Sequence, residues 1–212
     1  MEELRRSDQH LRQLFKRYAG FLTRQQADAA GLEPHTLTRW VERGWAERVQ
    51  RGIYRQAESV LGKHETLLEV QLRVPYSVLC LDSALAFHDL TTFIPKKLSL
   101  AVPRGKKPPK LEYPPVTFYF FSQGLYDYGT EQHTLGVHKL AVYSPEKTLA
   151  DLLRYKNKLG SELFAEGLKR YLERRGKKQR PDLAKLLGAA KVCRVEAQMR
   201  DYLEVVAYDT SS

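Results

Sequence analysis

Four glycines and a single proline divide the first 56 residues into pieces too short for anything but small helices and a hairpin. The first piece spaces Leu11, Leu14, Phe15 and Tyr18 three or four apart, which predicts a helix over roughly 7–18 with Ser7 as its cap and Gly20 as its stop. Thr23 caps a second short helix, Arg24 to about Ala29. Gly31 suits a left-handed stop, where a residue without Cβ is not strained. Pro34 opens a third helix at the position that tolerates a missing N–H, and Gly44 ends it after Arg43. Alternation in 45–49 and 53–55 around Gln50-Arg51-Gly52 then predicts a tight hairpin.

Two short helices across a glycine turn, followed by a hairpin, form a winged helix-turn-helix. Leu37, Trp40 and Val41 are expected to face inward on the third helix. That leaves His35, Thr36, Thr38, Arg39, Glu42 and Arg43 outward. Thr36, Thr38 and Arg39 are the expected base contacts, with His35 and Arg43 nearer the backbone, and Arg48, Arg51 and Arg55 arm the wing. Arginine suits both roles, since it grips guanine bidentately and fits a narrow minor groove. The domain expected over 1–56 holds eleven Lys/Arg against seven Asp/Glu, and all but one of its cations are arginine. Residues 57–212 are basic as well, twenty-four against eighteen, within a chain total of +10. A DNA-facing surface therefore need not end with the first domain.

Residues 57–212 read as a mixed α+β domain with a small central sheet and a helical C-terminus, so the chain as a whole is α+β. A helix is expected over Glu58–Val74. Leu98–Val102, Val116–Phe121 and Val137–Tyr143 read as strands, with a partner strand near Glu131–Leu135. Ser144-Pro145-Glu146 opens a helix carrying Leu149, Leu152 and Leu153. Helices are expected at about 161–174, 181–188 and 190–206. Two basic stretches are candidates for further phosphate or partner contacts, or else solvated loops: Arg104, Lys106, Lys107 and Lys110 in one, and Arg174, Arg175, Lys177 and Lys178 in the other.

Little in this half suggests catalysis. No phosphate-binding glycine loop, nucleophile elbow or [D/E]-x-K nuclease triplet occurs, so an enzyme is not expected, nor any cofactor or metal. His133 and His138, five apart with no nearby cysteine or acidic cluster, read as surface residues. Cys80 and Cys193 stand far apart in apolar stretches and read as reduced, buried thiols. With no leader and no run long enough to span a bilayer, the expected location is the cytoplasm and no membrane partner is implied.

Phe21-Leu22-Thr23-Arg24-Gln25-Gln26-Ala27, Gly31, Leu37, Arg43-Gly44 and Arg51-Gly52-Ile53-Tyr54-Arg55 resemble the winged helix of AbiEi-type antitoxins from bacterial abortive-infection pairs. Ser83-Ala84-Leu85-Ala86 with His88 and Leu90, then Ser144 to Leu152, resemble that family's C-terminal antitoxin domain. The resemblance implies a repressor of its own operon, binding inverted repeats in double-stranded DNA through Thr36, Arg39, Arg48, Arg51 and Arg55. It further implies that the C-terminal domain neutralises a nucleotidyltransferase-like toxin in phage defence, with or without a stable complex. The competing reading keeps the winged helix and makes the second domain the sensor or oligomerisation module of a free-standing regulator.

Overall fold

The computed structural model describes residues 2–57, 64–174 and 180–209. The chain divides into two compact units, Met1–Pro75 with His133–Leu140, and Tyr76–Gln132 with Ala141–Ser212. The expectation of a division at residue 56 thus differs from the compact units, the first of which runs on to Pro75.

The first unit is built in the order α1 (Glu2–Arg17), β1 (Phe21–Thr23), α2 (Arg24–Ala29), α3 (Pro34–Glu42), β2 (Ala46–Gln50), β3 (Ile53–Gln56) and α4 (Glu65–Arg73). Ser7 does not cap α1, which begins at Glu2. Its hydroxyl instead lies 3.3 Å from that of Thr36. Thr23 caps α2 as expected, its hydroxyl accepting the Gln26 N–H; the Gln26 side chain, expected as a packing position, also accepts the Thr23 N–H. Gly31 adopts φ +72° and Pro34 opens α3.

Strand β3 lies between β1 and β2 and pairs antiparallel with both, with Leu22 opposite Tyr54 and Gln50 opposite Ile53. The hairpin therefore turns through Arg51-Gly52 alone, with Gly52 at φ +80°. Leu11, Leu14, Phe15, Leu22, Leu37, Trp40 and Tyr54 form the core, with the Phe15 and Trp40 rings stacked at 5.8 Å. Of the helix expected over Glu58–Val74, residues 58–63 lie outside those described, and the described part is α4.

The second unit contains β4 (Val78–Leu79), α5 (Leu81–Phe87), β5 (Leu98–Pro103), β6 (Val116–Phe121) and α6 (Gln123–Asp127). After these come β7 (Thr130–Leu135), β8 (His138–Tyr143), α7 (Pro145–Arg154), α8 (Lys156–Leu159), α9 (Glu162–Leu172), α10 (Leu183–Val192) and α11 (Glu196–Asp209). The sheet order is β6-β5-β4-β8-β7; β5 runs parallel to β6 and antiparallel to β4, and β4 runs parallel to β8. This is a mixed α+β architecture. The break expected near residues 188–190 falls later, because Gly188 stays helical within α10 and the chain reverses at Arg194, φ +60°.

Helix α7 starts where Ser144 and Pro145 place it, the Ser144 hydroxyl accepting the Lys147 N–H at 3.2 Å. Every residue from Lys147 to Leu153 is buried, with α5, α9 and α10 packed around the helix. Cys80 and Cys193 are free and buried in the same unit. No helix among the described residues is long and apolar enough to cross a membrane.

Candidate nucleic-acid interface

Helix α3 is turned about its axis differently from the expectation. Thr36, expected to face outward, is 1% exposed, since the Ser7 hydroxyl and the Leu37–Trp40 core enclose it. Arg39 is not a free base-reading side chain either. Its guanidinium donates to Asp8 Oδ1 at 3.0 Å, and the Trp40 indole N–H donates to the same oxygen at 2.8 Å. Partial burial tends to raise the Asp8 carboxyl, but these two donors and the Arg43 charge hold it below its ordinary value. Asp8 thus fixes one end of α3 to α1.

Arg43 lies 4.0 Å from Asp8 and stacks over the Trp45 ring at 4.9 Å, while its side chain remains about half exposed. The exposed residues of α3 are Pro34, His35, Thr38 and Glu42. This face is polar, with an acidic member, and its hydrogen-bonding groups suited to base edges are His35 and Thr38.

The wing divides its three arginines between two jobs. Arg48 and Arg51 are exposed, on β2 and at the turn, and no carboxylate among the described residues pairs with either. Arg55 is committed elsewhere: it bonds Glu47 on the opposing strand and Glu69 on α4 at 3.1 Å, with Glu65 at 3.9 Å. The expected phosphate contact at Arg55 is therefore corrected to a clamp between wing and helix. Hairpin register alone puts Glu47 opposite Arg55, but Glu65 and Glu69 belong to the next helix and could not be found from the wing. Glu69 also accepts Arg73 at 3.2 Å, so a buried carboxylate organises both guanidiniums.

In the second unit Arg104, Lys106, Lys107 and Lys110 are exposed on the loop after β5, and Lys106 lies 5.8 Å over the Tyr76 ring. Arg174 is partly buried and donates to the His88 carbonyl, which makes it a tie within the unit rather than an open phosphate contact. Arg175, Lys177 and Lys178 lie outside the described residues. His138 is buried rather than on the surface, its Nε2 2.9 Å from the Tyr18 carbonyl oxygen.

One polar constellation was missed. Lys147 and Asp151 form an ion pair with neither side chain exposed. The Cys193 thiol donates to Asp151 Oδ1 at 3.3 Å, and the Lys147 ammonium lies 4.4 Å from the Tyr143 ring and 4.9 Å from that of Phe121. Burial raises the Asp151 carboxyl, and the Lys147 charge works against that rise. The pair is sealed from solvent, so it orders the helix rather than offering a site.

The order helix, strand, helix, helix and two-stranded wing, with exposed Arg48 on β2 and Arg51 at the turn, is that of a winged helix-turn-helix. Residues 9–57 match the family described as transcriptional regulator, AbiEi antitoxin. The AbiEi match spans about a quarter of the chain and takes in α2, α3 and the wing. Among solved structures, the crystal structure of RV2827C protein from Mycobacterium tuberculosis is 15% identical. It covers 87% of this chain and 75% of its own, at a TM-score of 0.48. No curated protein matches.

Proposed function

We propose that this protein is a DNA-binding antitoxin regulator that represses its own operon through the AbiEi-type winged helix and counteracts a nucleotidyltransferase-like toxin through residues beyond it. The observation that carries the DNA-binding part is the exposed Arg48–Arg51 pair on a wing that the Arg55–Glu69 clamp holds in place. In this reading α3 presents His35 and Thr38 to base edges. Arg43 approaches the backbone, and Arg48 and Arg51 contact phosphate or the minor groove. Lys106, Lys107 and Lys110 add phosphate or partner contacts.

A gel-shift titration with the DNA upstream of the protein's own operon tests this. The expected result is specific binding, weakened in Arg48→Ala and Arg51→Ala; equal affinity for that fragment and unrelated duplex would overturn repression at that site. Co-expression with the neighbouring toxin tests the second part. Growth rescue supports it, and continued arrest in the presence of folded full-length protein overturns it.

A further inference from the structure

Three arginines from separate parts of the second unit line one cavity of about 500 Å³: Arg104, Arg154 and Arg194. Arg104 directly follows β5, its backbone N–H donating to the Phe121 carbonyl at 2.8 Å. Ser122, which follows the parallel neighbour β6, lines the same cavity. Arg154 is the last residue of α7, and Arg194 sits at the left-handed turn between α10 and α11. Leu125 and Val192 supply apolar wall. No carboxylate is among the residues lining the cavity, and none pairs with the three arginines among the described residues.

Three exposed arginines on one concavity whose lining holds no carboxylate give it a positive field that attracts an anionic ligand. Burial raises the Tyr155 hydroxyl; the Arg154 charge and, more weakly, that of Arg104 oppose the rise, while Asp151 adds to it. Arg194 keeps its long cation at a left-handed backbone position that glycine adopts without strain. The place is also one that open sheets use for ligands, outside the carboxyl ends of adjacent parallel strands.

We infer that this cavity binds phosphate groups, with the size and charge to take the oligophosphate of a nucleotide-like ligand. Arginines from three different elements lining one cavity can supply several donors to phosphate oxygens, and the Ser122 hydroxyl, not used to cap α6, adds a further one. This goes beyond the DNA-binding reading and stands whether or not the wing binds an operator.

The test is isothermal titration of the full-length protein with sodium tripolyphosphate and, separately, with a duplex oligonucleotide at several salt concentrations. Arg154→Gln and Arg194→Gln are compared with Lys185→Gln, an exposed cation outside the cavity. The expected result is one tripolyphosphate per chain, bound roughly tenfold more weakly by each arginine variant and unchanged in Lys185→Gln. Absent tripolyphosphate binding, a duplex salt slope reduced by about 1 in the arginine variants alone would also support the inference, assigning the phosphate to a nucleic-acid backbone. Variants that match the wild type with both probes, their fold verified by circular dichroism, would overturn it.

Discussion

Asp8 and Arg39 meet at 3.0 Å across α1 and α3, and the carboxylate that holds the arginine also takes the indole N–H of Trp40. A cation on a helix expected to read DNA is thereby turned into part of the helix's own support. Replacing Asp8 by Asn should cost about 1–3 kcal/mol, the usual range for a charge-assisted hydrogen bond lost at a partly buried site. Denaturant unfolding followed by tryptophan fluorescence measures this directly, since both tryptophans of the chain, Trp40 and Trp45, belong to the first unit. An unchanged midpoint would show that the contact holds nothing.

The same carboxylate gives the first unit an acid limit. Its folded pKa is lowered from the ordinary 3.8, although burial alone would raise it. A depressed carboxylate adds stability that is fully present above its unfolded pKa and disappears as pH falls through the folded value. Stability monitored by tryptophan emission should thus decline below about pH 4. Asp8→Asn should flatten this part of the profile.

Wing arginines and clamp arginine should respond differently to truncation. Arg48→Ala and Arg51→Ala should each reduce the salt slope of DNA binding by about 1 and leave the fold intact. Arg55→Ala leaves Glu69 without one of its two cations and should lower stability by about 1–3 kcal/mol. Thermal melts run beside the DNA titrations separate the effects. A loss of DNA affinity in Arg55→Ala with an unaltered melting temperature would return that residue to the interface.

Inside α7, Asp151→Asn leaves the Lys147 ammonium buried without a counter-charge and should destabilise the second unit by about 3–5 kcal/mol. The double change Lys147→Met with Asp151→Leu removes both charges and should cost much less. A chemical-denaturation comparison of the two variants decides the matter, and equal losses would refute the idea that the unpaired ion is the source of damage.

Gly129 should not tolerate alanine. It adopts φ +73°, and a Cβ there would stand 2.7 Å from the Lys147 Cβ, on a central helix that cannot easily retreat. Left-handed strain and overpacking together should cost about 2–4 kcal/mol, read as a lowered unfolding midpoint.

The parts legible in the sequence are those whose cause is local. Thr23, Gly31, Pro34, Gly52 and Ser144-Pro145 each specify a cap or turn through their own covalent chemistry, and each does so in the structure. Which way α3 faces was not local. Leu37, Trp40 and Val41 allow the helix to rotate by a residue's width, and what decides the fate of Thr36 is Ser7, twenty-nine positions away. The Lys147–Asp151 pair went unread because nothing nearby in the sequence reveals that other helices will enclose it. Strand β1 has three residues, too few for alternation to register. The arginine cavity was invisible for the same reason, since Arg104, Arg154 and Arg194 are ninety positions apart end to end.

Cys80 and Cys193 are enclosed in the second unit, and desolvation raises both thiols, that of Cys193 to about 12. Alkylating reagents attack the thiolate, so neither sulfur can react from the closed state at neutral pH. Labelling must wait for the surrounding helices to part, and its rate then counts those openings. The molecule thus carries a built-in clock for the breathing of one half, readable by mass spectrometry without any engineered probe.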